Sequence, residues 1–235
     1  MPAPEPEQRG LPARLAAVVL AGGRGSRLGG ADKPGMVVGT RTLLTAVVSA
    51  AAGAGAGHVV IVGPSRPGIR AGADTSCKVE FVREDPPCTG PVAGLRCGLA
   101  GVHAPWVAVL AADMPFLRAR HLLALLGAAG QPGARTGRPA GHGRAPAAHD
   151  AGQSPRGAIL IDDAGRPQWL AGCWPAAVLR DRLDGYPGDS LRGLLGPLWP
   201  VRLSYPAGPG DPPPWLDCDT TSDLSLAREW ARRSP

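Results

Sequence analysis

Six consecutive apolar residues, Leu15 to Leu20 (LAAVVL), end abruptly at Gly22 and Gly23. A run this short, with no polar alternation, reads as a strand buried on both faces that stops at a glycine loop. Val59 to Val62, Val79 to Val82 (VEFV) and Trp106 to Ala111 (WVAVLA) repeat the pattern, while Thr42 to Ala52, Pro91 to Gly101 and His121 to Leu126 read as helices between them. Strand alternating with helix at this spacing requires right-handed β-α-β units and a mostly parallel sheet covered on both faces. The expected class is α/β, a three-layer α/β/α arrangement around a Rossmann-like sheet.

The 235 residues are enough for one buried core. Residues 1 to 13, rich in Pro and polar groups, are expected to be a disordered leader, and 14 to 235 a single domain. Between Gly127 and Gly157, 24 of 31 residues are Gly, Ala, Pro or Arg and none is Leu, Ile, Val or Phe, so this stretch reads as a flexible low-complexity loop. Its His142 and His149 are given no site role. Structure resumes at Ala158 to Ile161, followed by a turn from Asp162 to Pro167, a helix from about Pro175 to Leu183 and a short helix from Ser190 to Leu195. Thr220 and Asp223 have the spacing of a capping box, with Leu224, Ala227 and Ala231 on one face of the helix that follows.

Composition narrows the function. The net charge of +6 permits an anionic partner, but the arginines are scattered and aromatics are only 4%, which disfavours a nucleic-acid platform. The five cysteines include no C-x-x-C pair, so buried thiols in a reducing compartment are expected rather than a metal knot. An acidic, proline-bearing start argues against export, and Gly53, Gly55, Gly57 and His58 interrupt the uncharged stretch from Thr42 to Ser65, so no membrane span is expected. The expected location is cytoplasmic.

The chemistry concentrates in LAGGRGSRLGGADK, Leu20 to Lys33. Gly23 to Leu28 fails the last position of G-x-G-x-x-G, and Asp32-Lys33-Pro34 is not the G-K-[ST] of a P-loop. What remains is a glycine turn whose amides can approach an anion closely, with Arg27 offering a planar fork and Lys33 a compact charge. The bland alternative is a solvated turn. Only two of the 25 basic residues are lysines, Lys33 and Lys78, which favours a chemical role for Lys33. Asp113 follows an apolar strand just as the glycine loop does, so in a parallel sheet the two should meet in one crevice. A helix cap, or an ion pair with Arg118, is the alternative for Asp113. Trp169 and Trp174 read as core rather than as a substrate platform.

These residues resemble a family. LAGGRGSRLGGADK is similar to the L-A-G-G-x-x-x-R-M-G-G-x-D-K signature of molybdenum cofactor guanylyltransferases and related nucleotidyltransferases. Gly90 to Gly94 (GPVAG) resembles the family's G-P-L-A-G, Ala112 to Pro115 its strand-end Asp motif, Gln168 to Gly172 and Ser190 to Arg192 weaker blocks, and Asp217 to Leu224 its closing segment. The similarity runs in order over residues 15 to 232, outside the leader and the 127 to 157 stretch. Departures are Leu28 for Met, Thr221-Ser222 for Pro-Glu, and Gly63 to Ser65 where some members carry asparagine.

The resemblance implies a nucleotidyltransferase-type sheet and an enzyme that moves GMP from GTP to the terminal phosphate of molybdenum-molybdopterin, releasing pyrophosphate. It implies Arg27, Lys33 and Asp113 as catalytic, Mg²⁺ on Asp113, and nucleotide or cofactor contacts from Leu20, Ala21, Gly22, Gly23, Lys33, Asp85, Gly90, Asp113 and Asp219. Asp85 before Pro86 also has the form of a turn initiator, and Asp217 or Asp219 could simply lead into the last helix. The partners implied are the two small-molecule substrates, with molybdoenzyme apoproteins or other cofactor-biosynthesis proteins downstream. Cytidylyl transfer, nucleotidyl transfer to a sugar phosphate, and a chaperone-like module that binds without chemistry are the other readings.

Overall fold

The computed structural model describes residues 14–22, 32–70, 76–87, 89–130, 157–205, 208 and 211–233. In chain order its strands are β1 (Leu15–Leu20), β2 (Val37–Val38), β3 (Arg41–Thr42), β4 (Ala56–Val62), β5 (Lys78–Val82), β6 (Trp106–Ala111), β7 (Ala158–Ile161), β8 (Pro167–Pro175) and β9 (Val201–Ser204). Its helices are α1 (Leu43–Gly53), α2 (Pro91–Ala100), α3 (Ala119–Ala129), α4 (Ala176–Leu183), α5 (Leu191–Leu195) and α6 (Thr221–Arg233). Seven strands form one sheet in the order β5-β4-β1-β6-β8-β7-β9, and β2 pairs with β3 as a separate hairpin.

β1 lies between β4 and β6, parallel to both, because Leu15 to Val19 have no polar side chain to turn towards water and need cover on both faces. Leu44, Val47, Leu122 and Leu125 of α1 and α3 cover one face. Leu95, Leu99, Leu179 and Leu194 of α2, α4 and α5 cover the other. Each such leucine, fully buried, contributes about 1.5–3 kcal/mol, so the three-layer expectation is met by the helices that most need a sheet. The uncharged stretch from Thr42 is α1 followed by β4, with the Thr42 hydroxyl accepting from the Thr45 amide (3.1 Å) to cap the helix. Among the described residues no helix is long and apolar enough to cross a membrane.

The second half departs from the expected pattern. β8 runs antiparallel to both β6 and β7, while β9 returns parallel to β7, so the sheet is mixed but mostly parallel. Asp162 makes the β7–β8 turn: its carboxylate accepts from the amides of Ala164 (3.0 Å) and Arg166 (2.8 Å) and from Arg166 Nε (2.7 Å). α3 runs on to Ala129, three residues into the stretch read as loop. Most of the rest of that stretch, residues 131–156, lies outside the described residues, as do His142, His149 and residues 1–13.

The first turn of α3 contains a pH-sensitive stability element. His121 is 2% exposed, its ring sits edge-on to Tyr205 at 4.5 Å, and its Nδ1 accepts from the Arg118 amide (3.0 Å). Burial, aided by Arg120 and Arg118, pulls its pKa down from 6.5 to about 4. Between those values the unfolded chain binds a proton that the folded chain refuses, so stability is full above 6.5 and falls as pH drops towards 4. The expected loss is up to about 3 kcal/mol, read from urea unfolding at stepped pH. His121→Asn, which keeps an acceptor near Nδ1, should flatten that slope.

Candidate active site

Because β5, β4, β1 and β6 are parallel, their C-terminal ends share one edge of the sheet, and the chain segments leaving them face a common crevice. A cavity of about 570 Å³ opens there. Leu20 and Gly22 line it after β1, Gly63 and Pro64 after β4, Arg83 and Glu84 after β5, Asp113 after β6, and Gly90 and Pro91 at the start of α2. Gly90 takes φ 105°, a conformation that side chains disfavour, so glycine is the residue that lets the chain turn into α2 beside the cavity.

Lys33 opens a short helical turn, with Pro34 at its start, on the far side of the glycine loop from β1. Its Nζ donates to Asp113 Oδ2 and to Asp219 Oδ1, the latter at 2.5 Å. Lys33 and Asp113 are 17% and 18% exposed, so this ion pair is largely withdrawn from water. Burial works to lower the lysine pKa, but the carboxylates of Asp113 and Asp219 outweigh it and hold the ammonium above its ordinary value. The cation is fixed in its charged form. Asp113 Oδ1 is buried and has no hydrogen-bond partner among the described residues.

The backbone enforces this meeting of residues 80 and 186 positions apart. The Cys218 amide donates to the Asp113 carbonyl (3.2 Å), tying the segment before α6 to the end of β6. The Thr220–Asp223 capping box forms as read: the Thr220 amide donates to Asp223 Oδ2 (2.8 Å) and the Asp223 amide to Thr220 Oγ1 (3.2 Å). Beneath it Cys218 packs with Val38, Leu43, Phe116, Leu224 and Ala227. Burial pushes the Cys218 thiol up to about 12, so it serves as a small hydrophobe and not as a nucleophile. Burial, followed by the charges of Asp113 and Asp219, also raises Asp217 above the usual carboxylate range.

Of the expected site residues, the structure brings together Lys33, Asp113 and Asp219, and places Leu20, Gly22 and Gly90 on the cavity wall. Ala21 is buried, with its amide on the Val62 carbonyl (2.9 Å). Asp85 is exposed at a cis bond to Pro86, and its neighbour Glu84 lines the cavity in its place. Gly23 and Arg27 lie outside the described residues. The sequence reading passed over Glu84, although it stands just past the end of β5, as Asp113 does past β6. It also passed over Arg66, whose Nε and Nη2 grip Asp32 (3.1 and 2.5 Å) and anchor the glycine loop's exit to the β4–β5 connection.

Residues 17–199 match the sequence profile of the MobA-like NTP transferase domain. The chain is 28% identical over 236 residues, 93% of each protein, to a molybdenum cofactor guanylyltransferase from Rhodopseudomonas palustris. A nucleotidyl transferase structure from Methanothermobacter superposes with a TM-score of 0.64 at 20% identity, covering 94% of this chain and 99% of that one. A Mycobacterium tuberculosis protein solved in complex with manganese superposes at 0.59 and 20% identity, covering 92% and 98%.

Proposed function

The chain belongs to the MobA-like NTP transferase family, and from that premise we propose that it transfers GMP from GTP to the terminal phosphate of molybdenum-molybdopterin in the cytoplasm, releasing pyrophosphate. The observation that carries this reading is the Lys33–Asp113–Asp219 cluster at the end of β6, beside a cavity lined by Leu20 and Gly22 at the end of β1 and by the start of α2. Two phosphate anions must approach each other for such a transfer. Like charges at about 4 Å repel by roughly 4 kcal/mol at an effective dielectric near 20, so the reaction gains most from fixed positive charge and alignment. Lys33 supplies one positive charge, positioned by Asp113 and Asp219, and the second negative charge of that pair is left for a divalent cation to balance. The attacking group is the acceptor's own phosphate, so no protein nucleophile is needed, which agrees with the inert Cys218 thiol.

Among the described residues no group of three or more His, Cys, Asp or Glu is arranged to hold a metal alone. The donors present still fit a hard divalent ion. Asp113 Oδ1 is a buried oxygen without a partner among the described residues and Asp219 stands close by, and Mg²⁺ draws its remaining ligands from water and substrate phosphates. Asp113 would hold the ion, with Asp219 beside it, and the ion supplies further neutralisation of phosphate charge when bound.

The test is incubation with GTP, Mg²⁺ and molybdopterin cofactor, with mass detection of the guanine dinucleotide and calorimetry against ATP, CTP and UTP. Product formation with GTP-selective binding is expected. Equal use of CTP, or nucleotide binding without pyrophosphate release, would overturn the assignment.

A further inference from the structure

A second cavity, about 480 Å³, opens between the β2–β3 hairpin, α1 and the start of α3, and shares no lining residue with the first. Arg41 from β3, Arg118 just before α3 and Arg120 in its first turn all line it. Among the described residues the only acid on its wall is Asp211, and no carboxylate lies within ion-pair distance of any of the three arginines. Arg118 is held in place by carbonyls of the residues before it: Nη1 donates to Pro115 O (2.7 Å) and Leu117 O (3.2 Å). A fourth guanidinium, that of Arg228, is fixed next to the hairpin by donating to Val37 O (3.1 Å).

Three guanidiniums gathered around a recess that holds one carboxylate, that of Asp211, keep an excess of positive charge, and burial together with Arg120 and Arg41 draws Arg118 below its ordinary value. Such a cluster is stabilised when an anion enters. A guanidinium fork matches the paired oxygens of a phosphate better than it matches a single-point acceptor. The volume lies within the range of small-molecule sites. Val38 and Phe116 line this cavity and also belong to the apolar cluster that packs around Cys218.

We propose that Arg41, Arg118 and Arg120 form a second oxyanion site that takes a phosphate group of a small molecule, distinct from the cavity beside Lys33. The site stands independently of the guanylyl-transfer reading. Pro115 and Phe116 on its wall lie two and three residues past Asp113, so an occupant would bear on the loop that carries the catalytic acid.

Calorimetry with inorganic pyrophosphate on the full chain tests it. In a Lys33→Ala background one saturable binding event should remain, and adding Arg41→Ala and Arg120→Ala should weaken it by about tenfold or more. Absence of that event, or its survival in the triple variant, would overturn the site. Should Lys33→Ala not fold, Arg41→Glu with Arg120→Glu in the otherwise native chain should reduce the pyrophosphate stoichiometry from two to one, and an unchanged stoichiometry overturns the proposal equally. Glycerol 3-phosphate titrated in parallel separates the sources. Tighter binding than pyrophosphate assigns the site to an organic phosphate, and weaker binding to an inorganic one.

Discussion

Lys33→Ala should slow pyrophosphate release by about a thousandfold, the scale of removing one preorganised electrostatic donor from a transition state. The Lys33 ammonium is nearly withdrawn from water, is fixed as a cation by two carboxylates, and stands at the end of β6 where the cavity begins. Its removal also takes from Asp113 and Asp219 the ammonium that both carboxylates share and exposes them to their mutual repulsion. At an effective dielectric near 20 that repulsion is about 4 kcal/mol at 4 Å, so the melting temperature should fall together with the rate. Lys33→Arg separates the two effects. It restores charge between the carboxylates and with it most of the stability, but a planar fork cannot sit where a compact ammonium does, so the rate should stay low. Pyrophosphate release and thermal melting measured on both variants decide the matter. Native turnover in Lys33→Ala would remove Lys33 from the chemistry.

What could be read in advance was what local chemistry dictates. LAAVVL could only be a doubly covered strand, and a strand stopping at Gly22 could only open onto the crevice that Asp113 also reaches. Thr220 and Asp223 stand three residues apart, and that spacing alone specifies the cap that holds Asp219. What could not be read depended on pairing over long distances. β8 is bounded by Pro167 and Pro175 and contains Gly172, so it carries neither alternation nor a continuous apolar run, and its strand character comes from β6 and β7 on either side. Glu84 was hidden for another reason. The residue before a proline drew attention to Asp85, yet the cis bond to Pro86 belongs to an exposed turn, and the acid one position earlier reaches the cavity.

Trp174→Ala should cost about 3–5 kcal/mol, the largest single loss of stability expected in the fold. The indole is 0% exposed, on the strand that joins the parallel half of the sheet to the antiparallel half. The space around it was made for a large ring. A Cβ on Gly157 would lie 2.4 Å from the indole Cε3, and one on Gly172 would lie 2.8 Å from Nε1, so the two glycines border the indole and truncation leaves a void that neither can fill. Trp174→Phe should cost far less, because it keeps a ring in the slot and removes an N–H that is buried without a partner among the described residues. The ratio of the two losses, from urea midpoints at constant m, therefore distinguishes packing from hydrogen bonding as the source of stability. Equal losses would mean that the indole nitrogen is bonded after all. Trp174 does not line the cavity, but Leu170 on the same strand does. Activity per folded molecule should thus persist in Trp174→Phe, and in Trp174→Ala it should fall only as temperature approaches the lowered melting point.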